Sequence, residues 1–163
     1  MVLESPDGAV LSCWDTAEEA GAAVAATRGD GRWPEARAYR VVDVFTGAAA
    51  GEQPRQAQLT WFGPTDRHRA DARDRAGRER LWPAVARVPG VVWAVALRGD
   101  DGSSVVVGLG ADDGTAEAVQ AAVMGTVLLP WEDPADLTGP DRVEVHRVRS
   151  AQLPAWTTAG VSR

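Results

Sequence analysis

The stretch Asp101-Gly102-Ser103-Ser104-Val105-Val106-Val107-Gly108 decides the fold, because its order of turn and strand occurs twice in the chain. The earlier copy is Asp7-Gly8-Ala9-Val10-Leu11-Ser12-Cys13-Trp14. In both copies an Asp-Gly turn, typical of hairpins, precedes an apolar strand. A helix then opens at Thr16-Ala17-Glu18-Glu19-Ala20 or at Thr115-Ala116-Glu117-Ala118. Each helix leads through a loop to a further strand, so we expect a repeated hairpin–helix–strand unit.

The second copy has two additional elements in front of it. Residues 56–62 alternate, with Ala57, Leu59 and Trp61 on one face and Gln56, Gln58, Thr60 and Phe62 on the other. A helix from about 66 to 88 is predicted next, capped by Gly63-Pro64-Thr65 and kinked or restarted at Pro83. Its acids are expected to form i,i+4 pairs, Asp71 with Arg75 and Asp74 with Arg78.

These elements predict an α+β fold made of tandem ferredoxin-like units. The predicted strands are 1–5, 9–14, 37–45, 56–62, 91–98, 103–109 and 141–149. Residues 54–149 then form a complete β-α-β-β-α-β unit. Residues 1–53 form a truncated β-β-α-β copy that lacks its opening strand and helix, and residues 150–163 form a C-terminal tail.

Composition limits the classes of function. Of the 163 residues 45% are hydrophobic, which is enough apolar material for a core. The net charge of −6 repels phosphate backbones, so we expect no binding to nucleic acid. The single Cys13 excludes an intramolecular disulfide and a site with several Cys ligands. We see no signal segment and no apolar run near the roughly 18 residues of a membrane span, and we expect a cytoplasmic protein without membrane contact. All 17 basic residues are Arg, which is typical of a GC-rich bacterial genome.

Three short motifs resemble the antibiotic biosynthesis monooxygenase-like family. They are Leu81-Trp82-Pro83-Ala84-Val85 leading to Pro89-Gly90-Val91-Val92-Trp93, the Asp-Gly hairpin, and Trp14-Asp15-Thr16-Ala17-Glu18-Glu19-Ala20. The resemblance implies two ferredoxin-like units packed sheet to sheet as a dimeric α+β barrel, here fused in one chain. It also implies cofactor-independent oxidation of an aromatic or polyketide-type molecule, in the context of secondary metabolism.

The active-site residues of the family match this chain poorly. Family members that oxidise polyketides carry an Asn four residues before the motif Trp and a Tyr six residues after it. Those positions are occupied here by Val10 and Ala20, whose side chains transfer no proton. Haem-degrading relatives need an axial His on the second helix, and neither 17–27 nor 113–127 contains one. We therefore expect no haem, flavin or metal cofactor.

The candidate catalytic residues are His146, Glu144 and Gln58. His146 and Glu144 lie two residues apart on the last strand and so share a face, where they can act as a general acid–base pair. A polar pair on a solvated or interface face is the alternative. Gln58 and Thr60 could bind a ligand carbonyl if their face lines a cavity.

The candidate substrate-binding residues are Trp14, Thr60, Trp93 and Arg40. The aromatic ones suit the wall of a cavity for a planar ligand, although ordinary core packing also explains them. Arg40 occupies the position in the first unit that Glu144 occupies in the second. It either contributes to the same cavity or forms an ion pair with Glu144 across the barrel.

Three functions fit these observations. The first is a cofactor-free monooxygenase acting on a hydrophobic aromatic small molecule. The second is a polyketide cyclase or isomerase on the same barrel. The third is a non-catalytic binding or accessory protein. Because the first unit is incomplete, we also expect one uncovered sheet edge, which a homodimer would close with help from the tail.

Overall fold

A computed structural model describes residues 2–4, 9–29, 31 and 35–152. The strands are β1 (Val2–Glu4), β2 (Ala9–Val10), β3 (Arg40–Thr46), β4 (Gln56–Phe62), β5 (Val91–Arg98), β6 (Ser104–Gly110) and β7 (Arg142–Ser150). The α-helices are α1 (Ala17–Gly29), α2 (Arg67–Ala76), α3 (Trp82–Val85) and α4 (Thr115–Met124). A π-helical turn, Gly77–Leu81, joins α2 to α3, and a 3-10 turn spans Pro134–Asp136. Most of the predicted tail, and the turn predicted at 5–8, lie outside the described residues.

The strands form one seven-stranded antiparallel sheet in the order β2-β1-β7-β4-β6-β5-β3. Its central part, β7-β4-β6-β5, is connected as β-α-β-β-α-β through α2 and α4, which is compatible with a ferredoxin-like fold. The predicted α+β class is confirmed. Strands from both predicted units pair within this one sheet, because β1 pairs with β7 and β3 with β5. The equivalence of the two units stays a prediction.

Local signals in the sequence explain where two helices begin. At α1 the backbone N–H of Glu19 donates to Oγ1 of Thr16 (3.2 Å), and Oε2 of Glu19 accepts from the N–H of Thr16 (3.2 Å). This is the reciprocal capping box that the spacing of Thr16 and Glu19 predicts. The predicted cap at 63–65 is wrong for α2, where Oδ1 of Asp66 accepts from the N–H of Arg69 (3.0 Å).

Pro83 restarts its helix, as predicted. A proline has no N–H to donate, so the regular α-helical pattern cannot run through it. The chain passes through the π-helical turn and then begins α3, in which Pro83 occupies one of the first two positions. The ring of Trp82 is thereby stacked on Phe45 of β3, with 5.0 Å between the ring centroids. This aromatic stack attaches the start of α3 to β3.

The two faces of the sheet differ in chemistry. The inner face, which carries Ala57, Leu59 and Trp61 of β4, holds the main core. Its buried cluster comprises Ala49, Ala57, Leu59, Val92, Trp93, Val95, Leu97, Val105, Val107 and Leu109. Leu11 and Tyr39 pack against this cluster from the N-terminal part of the chain. Each fully buried aliphatic side chain stabilises the fold by about 1.5–3 kcal/mol.

The helix face, which carries Gln56, Gln58, Thr60 and Phe62, contacts α2 and α4. Gln56 holds the start of α4, since its Nε2 donates to the carbonyl of Asp113 (3.0 Å) and its Oε1 accepts from the N–H of Ala116 (3.1 Å). Arg73 of α2 donates to Oγ of Ser104 (2.8 Å) and lies over the ring of Phe62. Side-chain hydrogen bonds therefore attach both helices to this face.

The acids predicted to pair with Arg75 and Arg78 instead bind an arginine of the sheet. Asp71 and Asp74 both bind the guanidinium of Arg98 on β5, with 2.6 Å between Nη1 of Arg98 and Oδ1 of Asp71. The Arg98 side chain is only 13% exposed. A buried guanidinium needs carboxylate partners more strongly than an exposed arginine on the helix does. Arg75 pairs with Glu79 and Arg78 with Asp43, so the predicted pairing is wrong.

Candidate functional site

A row of three polar side chains lies on the inner face of β7. Arg142, Glu144 and His146 alternate along the strand and so project to the same side. Nε of Arg142 lies 3.1 Å from Oε1 of Glu144, and Oε2 of Glu144 lies 3.0 Å from Nε2 of His146. Glu144 therefore contacts a different partner with each of its oxygens. The predicted Glu144–His146 pair is in hydrogen-bond contact.

His146 is the buried end of this row. Its side chain is 7% exposed, whereas that of Glu144 is 31% and that of Arg142 is 59% exposed. The register of β4 and β7 places Ala57 opposite His146 and Leu59 opposite Glu144. Nδ1 of His146 is buried and has no hydrogen-bond partner among the described residues. A buried imidazole nitrogen without a partner is the feature of this site that needs an explanation.

Arg142 and Trp61 complete the row, and neither is among the catalytic or substrate-binding residues predicted from the sequence. Trp61 is directly opposite Arg142 in the register, and the Arg142 guanidinium lies 4.8 Å from the centroid of the indole ring. A guanidinium over an aromatic face is attracted by the ring quadrupole. The alternation of residues 142, 144 and 146 could have identified Arg142. The position of Trp61 opposite Arg142 depends on the register between β4 and β7, which cannot be predicted from the sequence alone.

Gln58 and Thr60 lie on the opposite side of the sheet from His146. Gln58 is opposite Val145 and Thr60 is opposite Val143, and Nε2 of Gln58 donates to Oγ1 of Thr60 (3.2 Å). Opposite residues of an antiparallel pair share a face, so both side chains belong to the helix face. Grouping Gln58 and Thr60 with His146 in one site is therefore a correction that the register requires.

Trp93 shares both the inner face and a cross-strand row with His146. The row runs from His146 through Ala57 and Leu109 to Trp93. Three strand spacings separate its ends, which is about 14 Å. Trp93 is 2% exposed and belongs to the main core. The structure thus places Trp93 on the same face as His146, three strands away from it.

Neither Trp14 nor Arg40 belongs to this row on β7. Trp14 follows β2 in a loop and is 51% exposed. Arg40 is opposite Arg98 at the start of β3, which is the edge strand beyond β5. Three strands separate β3 from β7, and the recorded partners of Glu144 are Arg142 and His146. The alternative of an Arg40–Glu144 contact is therefore wrong.

The positions at which the family carries Asn and Tyr hold apolar side chains here. Val10 ends β2 and is 51% exposed, and Ala20 is half-buried in α1. His68, the second histidine, is exposed on α2. Within residues 2–4, 9–29, 31 and 35–152, no three His, Cys, Asp or Glu side chains are grouped in a way that could hold a metal ion. Within the row on β7, His146 and Glu144 are side chains of the kind that can take up and release a proton.

Comparison with known proteins gives no family. No protein-family model matches the chain, and no curated protein sequence is significantly similar to it. Among the helices of the described residues, none combines the length and the apolar character needed to cross a membrane. The row Arg142–Glu144–His146 is therefore the candidate functional site of the described residues.

Proposed function

We propose that this chain is a cofactor-independent monooxygenase-like protein that acts on a hydrophobic aromatic or polyketide-type small molecule. One observation carries the proposal: a histidine hydrogen-bonded to a carboxylate on the inner face has its second nitrogen buried and unpaired. A carboxylate–imidazole pair is an effective general base, because the carboxylate orients the ring and stabilises the imidazolium that forms. His146 is the proposed base and Glu144 its orienting partner.

The chemistry that this base would start needs no metal or flavin. His146 removes a proton from an activated CH₂ group next to an aromatic ring or a carbonyl, which leaves a delocalised carbanion. The carbanion gives its electrons to O₂, and the resulting peroxide loses water. The balance is CH₂ plus O₂ to C=O plus H₂O, and the imidazolium returns its proton in the second half of the reaction. The resemblance of the sequence to the antibiotic biosynthesis monooxygenase-like family supports this reaction.

The tandem α+β barrel is part of the same proposal. Strands β1 and β3 extend the central part of the sheet at both ends, and the inner-face core is covered in part by Leu11 and Tyr39. A sheet that curves around its inner face would enclose His146 with Trp93 as an aromatic wall. Gln58, Thr60 and Arg40 are not part of this proposed site, because the register assigns them to the helix face.

A polyketide cyclase or isomerase is the second candidate. Val10 and Ala20 lack the polar groups of the oxidising family members, and an isomerase needs only a shaped site and one acid–base pair. Both reactions begin with the same proton transfer. They differ in whether O₂ is consumed.

Oxygen uptake with a reduced anthrone-type substrate tests the proposal, measured under air and compared with product formation under argon. We expect turnover under air that His146→Asn abolishes and His68→Asn leaves unchanged. Ring closure without oxygen uptake would favour the second candidate. Saturable binding without turnover by either route would contradict an enzymatic role and leave a binding or accessory protein.

We also propose a homodimer. Among the described strands, β2 and β3 lie at the two ends of the sheet, and a strand at a sheet edge invites pairing with another chain. Val143 and Val145 of β7 are each about half exposed, which adds apolar surface on the helix face. Light scattering at micromolar concentration tests this, and a monomer throughout that range would contradict it.

A further inference from the structure

We infer that Arg142, seated on Trp61, is a positioning residue that holds Glu144 against Nε2 of His146 and so makes Nδ1 the proton-accepting nitrogen. The inference deepens the proposed function and rests on it for its catalytic meaning. The tautomer itself is a property of the free protein, so it can be measured without any substrate.

The hydrogen bond to Glu144 decides which nitrogen carries the proton. An ionised carboxylate only accepts hydrogen bonds. Oε2 of Glu144 lies 3.0 Å from Nε2 of His146, so this contact requires a proton on Nε2. A neutral imidazole has one N–H, and its other nitrogen, Nδ1, then offers a lone pair.

Burial of Nδ1 favours the same tautomer. If the proton were on Nδ1, a buried N–H would have no acceptor among the described residues, and two lone pairs would face each other between Nε2 and Oε2. Unpaired buried donors are disfavoured more strongly than unpaired acceptors. We expect the Nε2–H tautomer to exceed the other by about tenfold or more.

Arg142 keeps Glu144 in this orientation. The Glu144 side chain is 31% exposed, so without a second partner it could rotate toward water. Oε1 is held by Nε of Arg142 at 3.1 Å, and the guanidinium is held in turn over the indole of Trp61. The pairing of Trp61 with Arg142 between β4 and β7 fixes this arrangement through the backbone. The row is therefore Trp61–Arg142–Glu144–His146, with the reacting nitrogen at its buried end.

A lysine should not replace Arg142. The role needs a planar cation that stacks on an aromatic ring while it forms an ion pair with a carboxylate. A lysine ammonium supplies a point charge on a flexible stem. Loss of the tautomer preference in both Arg142→Gln and Arg142→Lys would separate a positioning effect from a simple charge effect.

The test is ¹⁵N NMR of the full chain labelled at histidine, recorded at a pH high enough for both imidazoles to be neutral. The chain has two histidines, so exposed His68 serves as the internal reference for an unconstrained ring. We expect His146 to be the Nε2–H tautomer in the parent chain. In Glu144→Ala, Arg142→Gln and Arg142→Lys we expect at least a threefold loss of this preference, toward the mixture seen for His68.

Arg147→Gln is the matched control. Arg147 is an exposed arginine of the same strand, it lies opposite Gln56, and it therefore faces the other side of the sheet. We expect the ¹⁵N signals of His146 in Arg147→Gln to equal those in the parent chain. An Nδ1–H tautomer in the parent, or an unchanged tautomer in folded Arg142→Gln and Arg142→Lys, would overturn the inference. Oxygen uptake is a separate readout, so a correct tautomer without turnover would contradict the proposed function alone.

Discussion

Arg80 binds Glu132 through two parallel contacts in a nearly buried ion pair. Nε of Arg80 lies 2.8 Å from Oε2 of Glu132 and Nη2 lies 2.9 Å from Oε1, while the side chains are 12% and 2% exposed. The backbone N–H of Leu129 donates to Oε2 at 2.7 Å, and Nη1 of Arg80 donates to Thr126. The pair joins the π-helical turn to the loop that follows α4. It therefore fixes the long connection that leads into β7 and the candidate site.

Glu132→Gln should destabilise the fold by about 3 kcal/mol, because it leaves the Arg80 guanidinium without a counter-charge in a buried place. Chemical denaturation monitored by circular dichroism gives the free energy of unfolding. Glu117→Gln is the matched control, since Glu117 is an exposed acid of α4. Equal stabilities of the two variants would show that the ion pair does not hold this loop.

The same carboxylate predicts a dependence of stability on pH. Burial raises the pKa of Glu132, but hydrogen bonds from Arg80 and from the N–H of Leu129 outweigh it, so the pKa lies below its ordinary value of 4.5. A carboxyl with a lowered folded-state pKa adds stability above the unfolded-state pKa and loses it as the pH falls through the folded-state pKa. The difference in unfolding free energy between the parent and Glu132→Gln should therefore shrink as the pH falls from about 6 to about 3. A difference that is constant over this range would contradict the lowered pKa.

Two glycines of the β5–β6 hairpin region should respond oppositely to alanine. A Cβ at Gly108 would meet no atom within 4 Å, and the residue has an ordinary negative φ, so Gly108→Ala should stabilise the fold by about 0.4–1 kcal/mol. Gly102 has φ +79°, and a Cβ there would lie 2.1 Å from the carbonyl oxygen of Thr65. Gly102→Ala should therefore destabilise by more than about 1 kcal/mol. Melting temperatures of the two variants test the contrast, and a similar loss in both would show that the space above Gly108 is filled.

If Nδ1 of His146 accepts a hydrogen bond from the ligand, a planar aromatic molecule with a hydroxyl group should bind more tightly than its methyl ether. We expect 2-naphthol to bind about tenfold more tightly than 2-methoxynaphthalene by calorimetry, which is about 1.4 kcal/mol for one hydrogen bond to a buried acceptor. His146→Asn should remove this preference, and His68→Asn should retain it. A preference of the same size in His146→Asn would place the acceptor elsewhere.

Most of the architecture could be predicted from local patterns. The alternation of 56–62, the hairpin turn at Asp101-Gly102, the Thr16–Glu19 capping box and the restart at Pro83 each depend on neighbours in sequence, and each is present. Contacts between distant residues could not be predicted in this way. Asp71 and Asp74 each have an arginine four residues further along the chain, yet both bind Arg98 on the sheet, because a buried guanidinium needs carboxylate partners more strongly than an exposed one does.

The candidate site was predicted in part for the same reason. Glu144 and His146 lie two residues apart on one strand, and this spacing is enough to predict that their side chains share a face. Gln58 and Thr60 also share a face, but alternation alone does not say which face is inner, and a shift of one residue reverses the assignment. Trp61 and Arg142 meet only through the β4–β7 register, which depends on the packing of the whole sheet.

The pairing of β1 with β7 has a consequence for synthesis on the ribosome. Strand β1 is the first of the described strands to be made and β7 is the last, so β1 can pair early with β2 but lacks its second partner until nearly the whole sheet has been translated. Strands β4, β5 and β6 can pair with one another before that, since their contacts are closer in sequence. Closure of β1 onto β7 is therefore expected to be a late, post-translational step, and the acid–base row on β7, which already has β4 on one side, would acquire its second neighbouring strand only then.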